Sequence, residues 1–197
     1  AEQTGPKGRM GLPKARIVDV LGDPSGPRAV SLIAIHQHNI PDSFPDPVVA
    51  EADAASPAPM GQRTDLRDMP LVTIDPHDAR DHDDAIWAKP DGKGGFDALV
   101  AIADVSFYVR PGTALDREAR KRGNSVYFPD RVVPMLPEIL SADVCSLIEN
   151  EDRAAMACHF RINPDGKIDN WRFTRAIVRL TGNVAYEDAQ SSIDDGS

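Results

Sequence analysis

Residues 71–87 read LVTIDPHDARDHDDAIW, and this stretch decides how we expect the chain to fold. A short apolar run at residues 71–74 ends in Asp75. Pro76 follows, and it cannot donate a hydrogen bond to a neighbouring strand. A second apolar run begins at Ala85. The pattern predicts two strands joined by a loop that carries most of the acidic residues.

The loop between these strands concentrates negative charge. Five aspartates fall within ten residues, namely Asp75, Asp78, Asp81, Asp83 and Asp84. Like charges at close range repel and raise one another's pKa. A fully solvated surface loop relieves that repulsion, and acidic residues are common at protein surfaces. A hard divalent cation relieves it better, because such cations prefer oxygen ligands. Residue content alone leaves both interpretations open.

Four aspartates are enough for a phosphoryl-transfer site. Mg²⁺ is usually held by one or two carboxylates with waters and phosphate oxygens, and paired ions about 3.5–4 Å apart serve many such enzymes. In an extended chain Asp81 and Asp83 point to one side and Asp84 to the other, so we expect irregular backbone there. A structural Ca²⁺ loop is a further hypothesis, although the glycine and glutamate of an EF-hand are missing. Zinc is disfavoured, because His77 and His82 lack cysteine partners or helical spacing.

The same stretch resembles the catalytic signature of the RNB-type exoribonucleases, the ribonuclease II/ribonuclease R family. The resemblance begins with TID at residues 73–75 and DARDHDDA at 78–85. It continues through AIADVS at 101–106, LDREAR at 115–120, RGNSVYFP at 122–129, PMLP at 134–137, LS at 140–141 and CSL at 145–147. These blocks follow the order of the family and together cover residues 65–180.

The resemblance implies an α/β fold, a mixed sheet with few helices, preceded by a partial OB-fold of the cold-shock type. It implies a Mg²⁺-dependent exoribonuclease, with Mn²⁺ as an alternative ion, that degrades single-stranded RNA processively from its 3′ end to nucleoside 5′-monophosphates. Asp75, Asp81, Asp83 and Asp84 would be the metal ligands and the catalytic residues. Asp83 would also orient the attacking water, and Tyr127 would help to clamp nucleotides at the 3′ end. Asp78 lies outside the four matched positions and is predicted to be an exposed turn residue.

Residues 113–123 combine a helix signal with a basic cluster. Thr113 and Asp116 resemble a capping box, and Gly123 is suited to end a helix. The bases near this helix are Arg110, Arg117, Arg120, Lys121 and Arg122. As a group they would neutralise RNA phosphates, and we predict RNA contacts for Arg110, Arg117, Arg120 and Arg122. A solvated helix face, balanced by acidic neighbours, is the alternative.

We expect three segments: a remnant of a cold-shock or OB-like domain over residues 1–40, a linker over 41–64, and the N-terminal part of an RNB catalytic domain over 65–197. The first holds a predicted strand at 15–22 and a strand or short helix at 29–35. The prolines and alanines of 40–59 indicate the linker. The remainder of the RNB domain and an S1-type domain are expected outside this chain. A non-catalytic RNA-binding or assembly fragment is therefore an alternative function.

The composition of the chain limits the classes of protein to which it can belong. The chain has 197 residues, 41% of them hydrophobic, and a net charge of −9. A free-standing nucleic-acid binder is expected to be basic, so we expect much of the RNA-binding surface outside this chain. Two cysteines, Cys145 and Cys158, exclude a dense disulfide framework. No apolar run reaches the length of a membrane span or of a signal-peptide core, so we predict a cytoplasmic protein without a membrane partner.

Overall fold

The computed structural model describes residues 2–4, 14–17, 26 and 29–196. The chain divides into two compact units. The first unit combines residues 1–43 with 125–133, and the second combines residues 44–124 with 134–197. Of the strand predicted at 15–22, the structure shows its start in a strand that ends at Arg16, and residues 18–22 lie outside the described residues.

The described residues of the first unit form two strand pairs and one helix. Strand β1 (Glu2–Thr4) pairs antiparallel with β2 (Lys14–Arg16), and β7 (Val126–Phe128) pairs antiparallel with β8 (Arg131–Val133). Helix α1 (Ala29–Gln37) resolves the prediction at 29–35 in favour of a helix. Ser31 Oγ donates a hydrogen bond of 2.9 Å to Asp130 Oδ2, which ties α1 to the turn between β7 and β8.

The second unit is built on a seven-stranded mixed sheet with the order β11-β4-β5-β6-β9-β10-β3. The strands are β3 (Thr64–Leu66), β4 (Val72–Asp75), β5 (Asp84–Pro90), β6 (Phe96–Ala103), β9 (Asp152–Ile162), β10 (Ile168–Arg179) and β11 (Gly182–Ala185). β11 runs parallel to β4, and β3 runs parallel to β10. The other neighbouring strands are antiparallel. The α/β class with a mixed sheet is therefore confirmed.

Helices cover part of this sheet. They are α2 (Asp46–Asp53), α3 (Val105–Tyr108), α4 (Ala114–Arg122), a π-helix (Ile139–Val144) and α5 (Tyr186–Asp195). Val48 of α2, Leu115 of α4 and Leu140 of the π-helix join one hydrophobic cluster with sheet residues such as Leu99. Burial of these apolar side chains supplies the main driving force for folding of this unit. In the described part of the chain, no helix has both the length and the apolar character needed to cross a bilayer.

The structure differs from the expectation of a linker over residues 41–64. Helix α2 forms inside this segment, with Pro45 and Pro47 at its start. Proline is well tolerated there, because the first N–H groups of a helix have no partner within the helix. Val48 and Ala52 are buried in the hydrophobic cluster. Tertiary packing therefore makes a helix from a segment whose composition is typical of a linker.

Candidate active site

The strand order brings the acidic stretch to one end of the sheet. β4 ends at Asp75, and its antiparallel neighbour β5 begins at Asp84. Residues 76–83 form a loop that opens with a turn, in which Ala79 N donates to Pro76 O at 2.9 Å. Asp83 O accepts a hydrogen bond of 2.8 Å from Ala103 N, which fixes this part of the loop to the end of β6. Of the irregular backbone expected at Asp83 and Asp84, the structure shows it at Asp83, whereas Asp84 is the first residue of the regular strand β5.

Asp83 experiences the charge of the other three aspartates. Partial burial of its carboxylate raises the pKa of Asp83, and the negative charges of Asp84, Asp81 and Asp75 raise that pKa further. A hydrogen bond from the backbone opposes these effects only in part. Like charges are therefore held close enough to disfavour ionisation of Asp83. A bound cation would reverse that effect, because the positive charge favours the ionised carboxylate.

The four carboxylates are suitable ligands for a divalent cation, but their side chains do not converge on one point. Hard cations such as Mg²⁺ take oxygen ligands, and the loop with the two strand ends beside it carries the four predicted carboxylates. Within the described residues, no three His, Cys, Asp or Glu side chains converge as a metal-binding group. Metal binding at Asp75, Asp81, Asp83 and Asp84 therefore requires side chains to turn toward a common point, and their role as ligands stays a prediction.

Sequence reasoning missed the partner of Asp75. His82 Nδ1 lies 2.6 Å from Asp75 Oδ2, and the two side chains are only 13% and 15% exposed. The sequence pattern does not predict a contact between His82 and Asp75. The contact spans seven residues and depends on the path of the loop, so no local pattern announces it. Asp78, by contrast, is the exposed turn residue that we expected, with a side chain that is 81% exposed.

The predicted basic cluster divides into internal and external residues. The Arg122 side chain is 3% exposed and pairs with Glu118 at 3.0 Å. It also donates to Pro134 O at 3.0 Å and lies over the Phe44 ring. Arg122 is therefore committed to the interior, which corrects its prediction as an RNA contact. Arg110, Arg117 and Arg120 are exposed, and for them the prediction stands untested.

Two tyrosines deserve comparison as candidate base contacts. Tyr127 lies in β7 of the first unit and is 65% exposed, so its proposed role beside the aspartates stays a prediction. Tyr186, which sequence reasoning did not single out, is 55% exposed and begins α5. The preceding residue, Ala185, pairs with Asp75 across β11 and β4. Only this pairing, between strands far apart in sequence, places Tyr186 next to the acidic end of the sheet.

Comparison with known proteins agrees with this geometry. Residues 63–197 match the RNB domain, and residues 2–45 match a cold shock domain. Ribonuclease R of Vibrio parahaemolyticus is 42% identical over 193 residues, which cover 95% of this chain and 22% of that protein. Ribonuclease R of Escherichia coli K12 is 46% identical over 176 residues, which cover 87% of this chain and 22% of that protein.

A solved structure shows the same fold. Mycoplasma genitalium RNase R in complex with ribose-methylated single-stranded RNA matches with a TM-score of 0.83 and 31% sequence identity, over 90% of this chain and 28% of that one. The chain thus spans about a quarter of the length of the proteins it resembles. The RNB match covers more than half of the 197 residues. The resemblance seen in the sequence is confirmed, and the chain belongs to the RNB domain family.

Proposed function

We propose that the protein containing this chain is an exoribonuclease that hydrolyses single-stranded RNA processively from the 3′ end to nucleoside 5′-monophosphates. Mg²⁺ is the proposed cofactor, with Mn²⁺ as an alternative. The observation that carries the proposal is the accumulation of Asp75, Asp81, Asp83 and Asp84 at one end of the sheet, where partial burial and then the charges of the other three raise the pKa of Asp83. Such perturbed groups are frequent at catalytic sites. The family match and the Ribonuclease R relatives support the substrate and the direction.

Each aspartate has a role that follows from its charge and place. The four carboxylates would hold the cation at a place where an RNA phosphate can also bind to it. When bound, the cation supplies a Lewis acid that lowers the pKa of a water and offsets charge on the leaving oxygen. Asp83 would accept a hydrogen bond from the attacking water and so orient it. The exposed Arg110, Arg117 and Arg120 would bind phosphates of the strand without reading its sequence.

The test is degradation of a single-stranded RNA carrying a 5′ label by the complete protein in which these residues occur. With Mg²⁺ we expect stepwise loss from the 3′ end, release of nucleoside 5′-monophosphates, and no products when the metal is chelated. A ladder that starts at the 5′ end, or internal cleavage, would contradict the proposal. RNA binding without shortening under any divalent ion would favour a non-catalytic RNA-binding role instead.

Thermal unfolding separates the proposed site from a structural calcium loop. We expect Mg²⁺ and Mn²⁺ to raise the Tm of the chain, because a ligand that binds only the folded state stabilises it. Stabilisation by Ca²⁺ with none by Mg²⁺ or Mn²⁺ would support the calcium loop and oppose the proposed cofactor.

Replacing Tyr186 tests whether RNA reaches the acidic end of the sheet. Stacking of one base on an aromatic side chain contributes about 1–3 kcal/mol. Tyr186→Ala is therefore expected to weaken binding of single-stranded RNA by about tenfold or more, and Tyr186→Phe, which keeps the ring, is expected to retain it. Fluorescence anisotropy with an RNA oligonucleotide measures both. Equal affinity for the alanine variant and the unmodified protein would remove Tyr186 from the proposed site.

A further inference from the structure

We propose that His82 is a positioning residue that holds the carboxylate of Asp75 in the orientation required of a metal ligand. This inference rests on the proposed function, because it assigns a second layer of residues to the same site. His82 would not touch the metal or the RNA. It would act through Asp75, with Thr73, Ser146 and Asn183 fixing the arrangement.

The contact between the two side chains is short and sheltered. His82 Nδ1 lies 2.6 Å from Asp75 Oδ2. A carboxylate accepts hydrogen bonds, and an imidazole can carry its proton on Nδ1, so we assign the Nδ1–H of His82 as the donor and Asp75 Oδ2 as the acceptor. Hydrogen bonds to an ionised partner are shorter and stronger than neutral ones. Occupation of Oδ2 by this N–H limits rotation of the carboxylate and leaves the lone pairs of Oδ1 for a cation.

The backbone of His82 is fixed independently of its ring. His82 N donates to Ser146 Oγ at 3.1 Å, and Ser146 Oγ donates to Arg80 O at 2.8 Å. His82 O accepts from Leu147 N at 2.7 Å. Ser146 and Leu147 are 1% and 0% exposed. These bonds attach the acidic loop to a buried segment, so the ring approaches Asp75 from a position set by the core.

A second chain of contacts supports Asp75 from its own strand. Thr73, two residues earlier on β4, is fully buried, and its Oγ1 accepts from Asn183 Nδ2 at 2.8 Å. Asn183 Nδ2 also donates to Leu147 O at 2.9 Å. Thr73 Oγ1 lies 3.4 Å from His82 Nδ1, a much longer contact than the one to Asp75. Burying polar groups costs free energy unless they form hydrogen bonds. Here the hydrogen bonds of Asn183 join Thr73 of β4 to Leu147, which itself bonds to the loop of the aspartates.

This arrangement matches the physical role of an outer shell at a metal site. Hydrogen bonds to a ligand fix its orientation, and loss of such a partner commonly weakens metal binding by about 10–100-fold. The N–H of His82 also draws charge from Asp75 and so reduces its repulsion of the other aspartates. A contact needed only for folding would affect stability without changing metal affinity, and this difference is measurable.

The experiment compares three substitutions that differ in the donor they offer to Asp75. His82→Asn places an amide N–H near the position of Nδ1, His82→Gln carries its amide farther out, and His82→Phe has no donor. Mn²⁺ affinity of the 197-residue chain, measured by the EPR signal of free Mn²⁺, is the readout that does not depend on activity. We expect about 10–100-fold weaker binding for the phenylalanine and glutamine variants and recovery of most of it in the asparagine variant.

Kinetics on the complete protein add a second readout. The phenylalanine and glutamine variants should show a lower kcat at low Mg²⁺, partial recovery at high Mg²⁺ and an unchanged KM for RNA. Unchanged Mn²⁺ affinity in these variants, or equal loss in all three, overturns the positioning role alone. A chain that binds no Mn²⁺ before any substitution overturns the proposed metal site together with this inference. If the phenylalanine variant does not fold, comparison of the asparagine and glutamine variants still decides the question.

Discussion

Asp83→Asn is expected to lower kcat for RNA hydrolysis on the order of 10²–10³-fold, the usual scale for removing one electrostatic contact made in a transition state. The substitution keeps the shape of the side chain and removes its charge. In the proposed site Asp83 both holds the cation and orients the attacking water, so it has no substitute within the loop. Single-turnover degradation of a labelled RNA measures the chemical step without a contribution from product release.

Asp78→Asn is the matched control for that experiment. It makes the same chemical change in the same loop, but the Asp78 side chain is 81% exposed and lies outside the four predicted ligands. We expect its kcat and its Mg²⁺ dependence to equal those of the unmodified protein. Equal losses in both variants would mean that the loop tolerates no loss of charge, and the assignment of Asp83 would then fail.

Asp83→Asn should raise the stability of the metal-free chain although it lowers the activity. The pKa of Asp83 is raised above its ordinary value of 3.8, first by burial and then by the neighbouring charges. The folded chain therefore holds this proton to a higher pH than the unfolded chain, and its stability falls as the pH rises through that interval. Asp83→Asn removes the penalty, so without metal the variant should be slightly more stable at neutral pH. The gain should be less than about 1 kcal/mol, because Asp83 remains exposed despite the partial burial of its carboxylate, and solvent screens its charge.

Urea unfolding at pH 7 and near pH 3.5 checks this sign. The difference between the two chains should be present at pH 7 and much smaller at the lower pH, where the carboxyl group is mostly protonated in both folded and unfolded chains. A variant that is less stable than the parent at pH 7 would show that Asp83 contributes to the fold. The loss of activity could not then be assigned to chemistry alone.

Local patterns predicted the parts of the fold that are determined locally. Helix α4 begins where Thr113 Oγ1 accepts from Asp116 N, and it ends at Gly123 with a φ of 82°. Both are consequences of groups within one turn of the helix end. The sequence likewise predicts Asp75 at a strand end, because Pro76 cannot continue a ladder. It predicts Asp84 just before the apolar run that begins at Ala85, and β5 starts at Asp84. Such features need no knowledge of distant residues.

The remainder depends on contacts between segments far apart in sequence. β11 lies beside β4 although about 110 residues separate them, and this pairing places Tyr186 near the aspartates and Asn183 against Thr73. Arg122 illustrates the same limit. Its charge predicted a solvent-exposed phosphate contact, but Glu118, Pro134 and Phe44 enclose it. A sequence pattern gives the type of a side chain and not the neighbours that determine its use.

Asp104→Asn is expected to cause the largest loss of stability, about 3–5 kcal/mol, because it leaves a buried charge without its partner. The Asp104 side chain is 1% exposed, and Oδ2 accepts from Arg63 Nη2 at 2.7 Å and from Arg175 Nη1 at 2.6 Å. Ser106 Oγ donates to Oδ1 at 2.8 Å. Denaturant unfolding at neutral pH measures the difference in the free energy of unfolding.

The stabilisation that the ionised Asp104 carboxylate provides should be lost at low pH. Burial acts to raise the pKa of Asp104, but the hydrogen bonds and charges of Ser106, Arg63 and Arg175 together lower it from 3.8. Stabilisation by a carboxylate with a lowered pKa is present above its unfolded-state value and is lost as the pH falls toward the folded-state value. The gap between Asp104→Asn and the parent chain should therefore narrow below about pH 3.8. A gap that is constant with pH would mean that charge is not its source.

The large loss of stability expected for Asp104→Asn follows from the burial of its ion pairs and not from the size of the pKa shift. Arg67 lowers the pKa of Asp65 to about 2 through its hydrogen bonds, yet the Asp65 side chain is 50% exposed and the Arg67 side chain is 36% exposed. Asp65→Asn is therefore the control, and it should change the free energy of unfolding far less than Asp104→Asn, because solvent screens an exposed pair. Similar losses in both variants would contradict the role given to burial.

A second substitution, at Arg63, should restore part of the stability lost in Asp104→Asn. The Arg63 side chain is 8% exposed, its Nη1 has no hydrogen-bond partner among the residues that the structure describes, and its guanidinium lies over the Phe107 ring at 5.3 Å. Arg175 is 46% exposed and can turn to solvent when Asp104 is neutralised. Arg63 cannot do so without unpacking. Adding Arg63→Met to Asp104→Asn removes the unpaired charge and keeps most of the volume, so the double variant should be more stable than Asp104→Asn alone. If it is less stable, the cost at Asp104 arises from lost hydrogen bonds and not from the buried charge of Arg63.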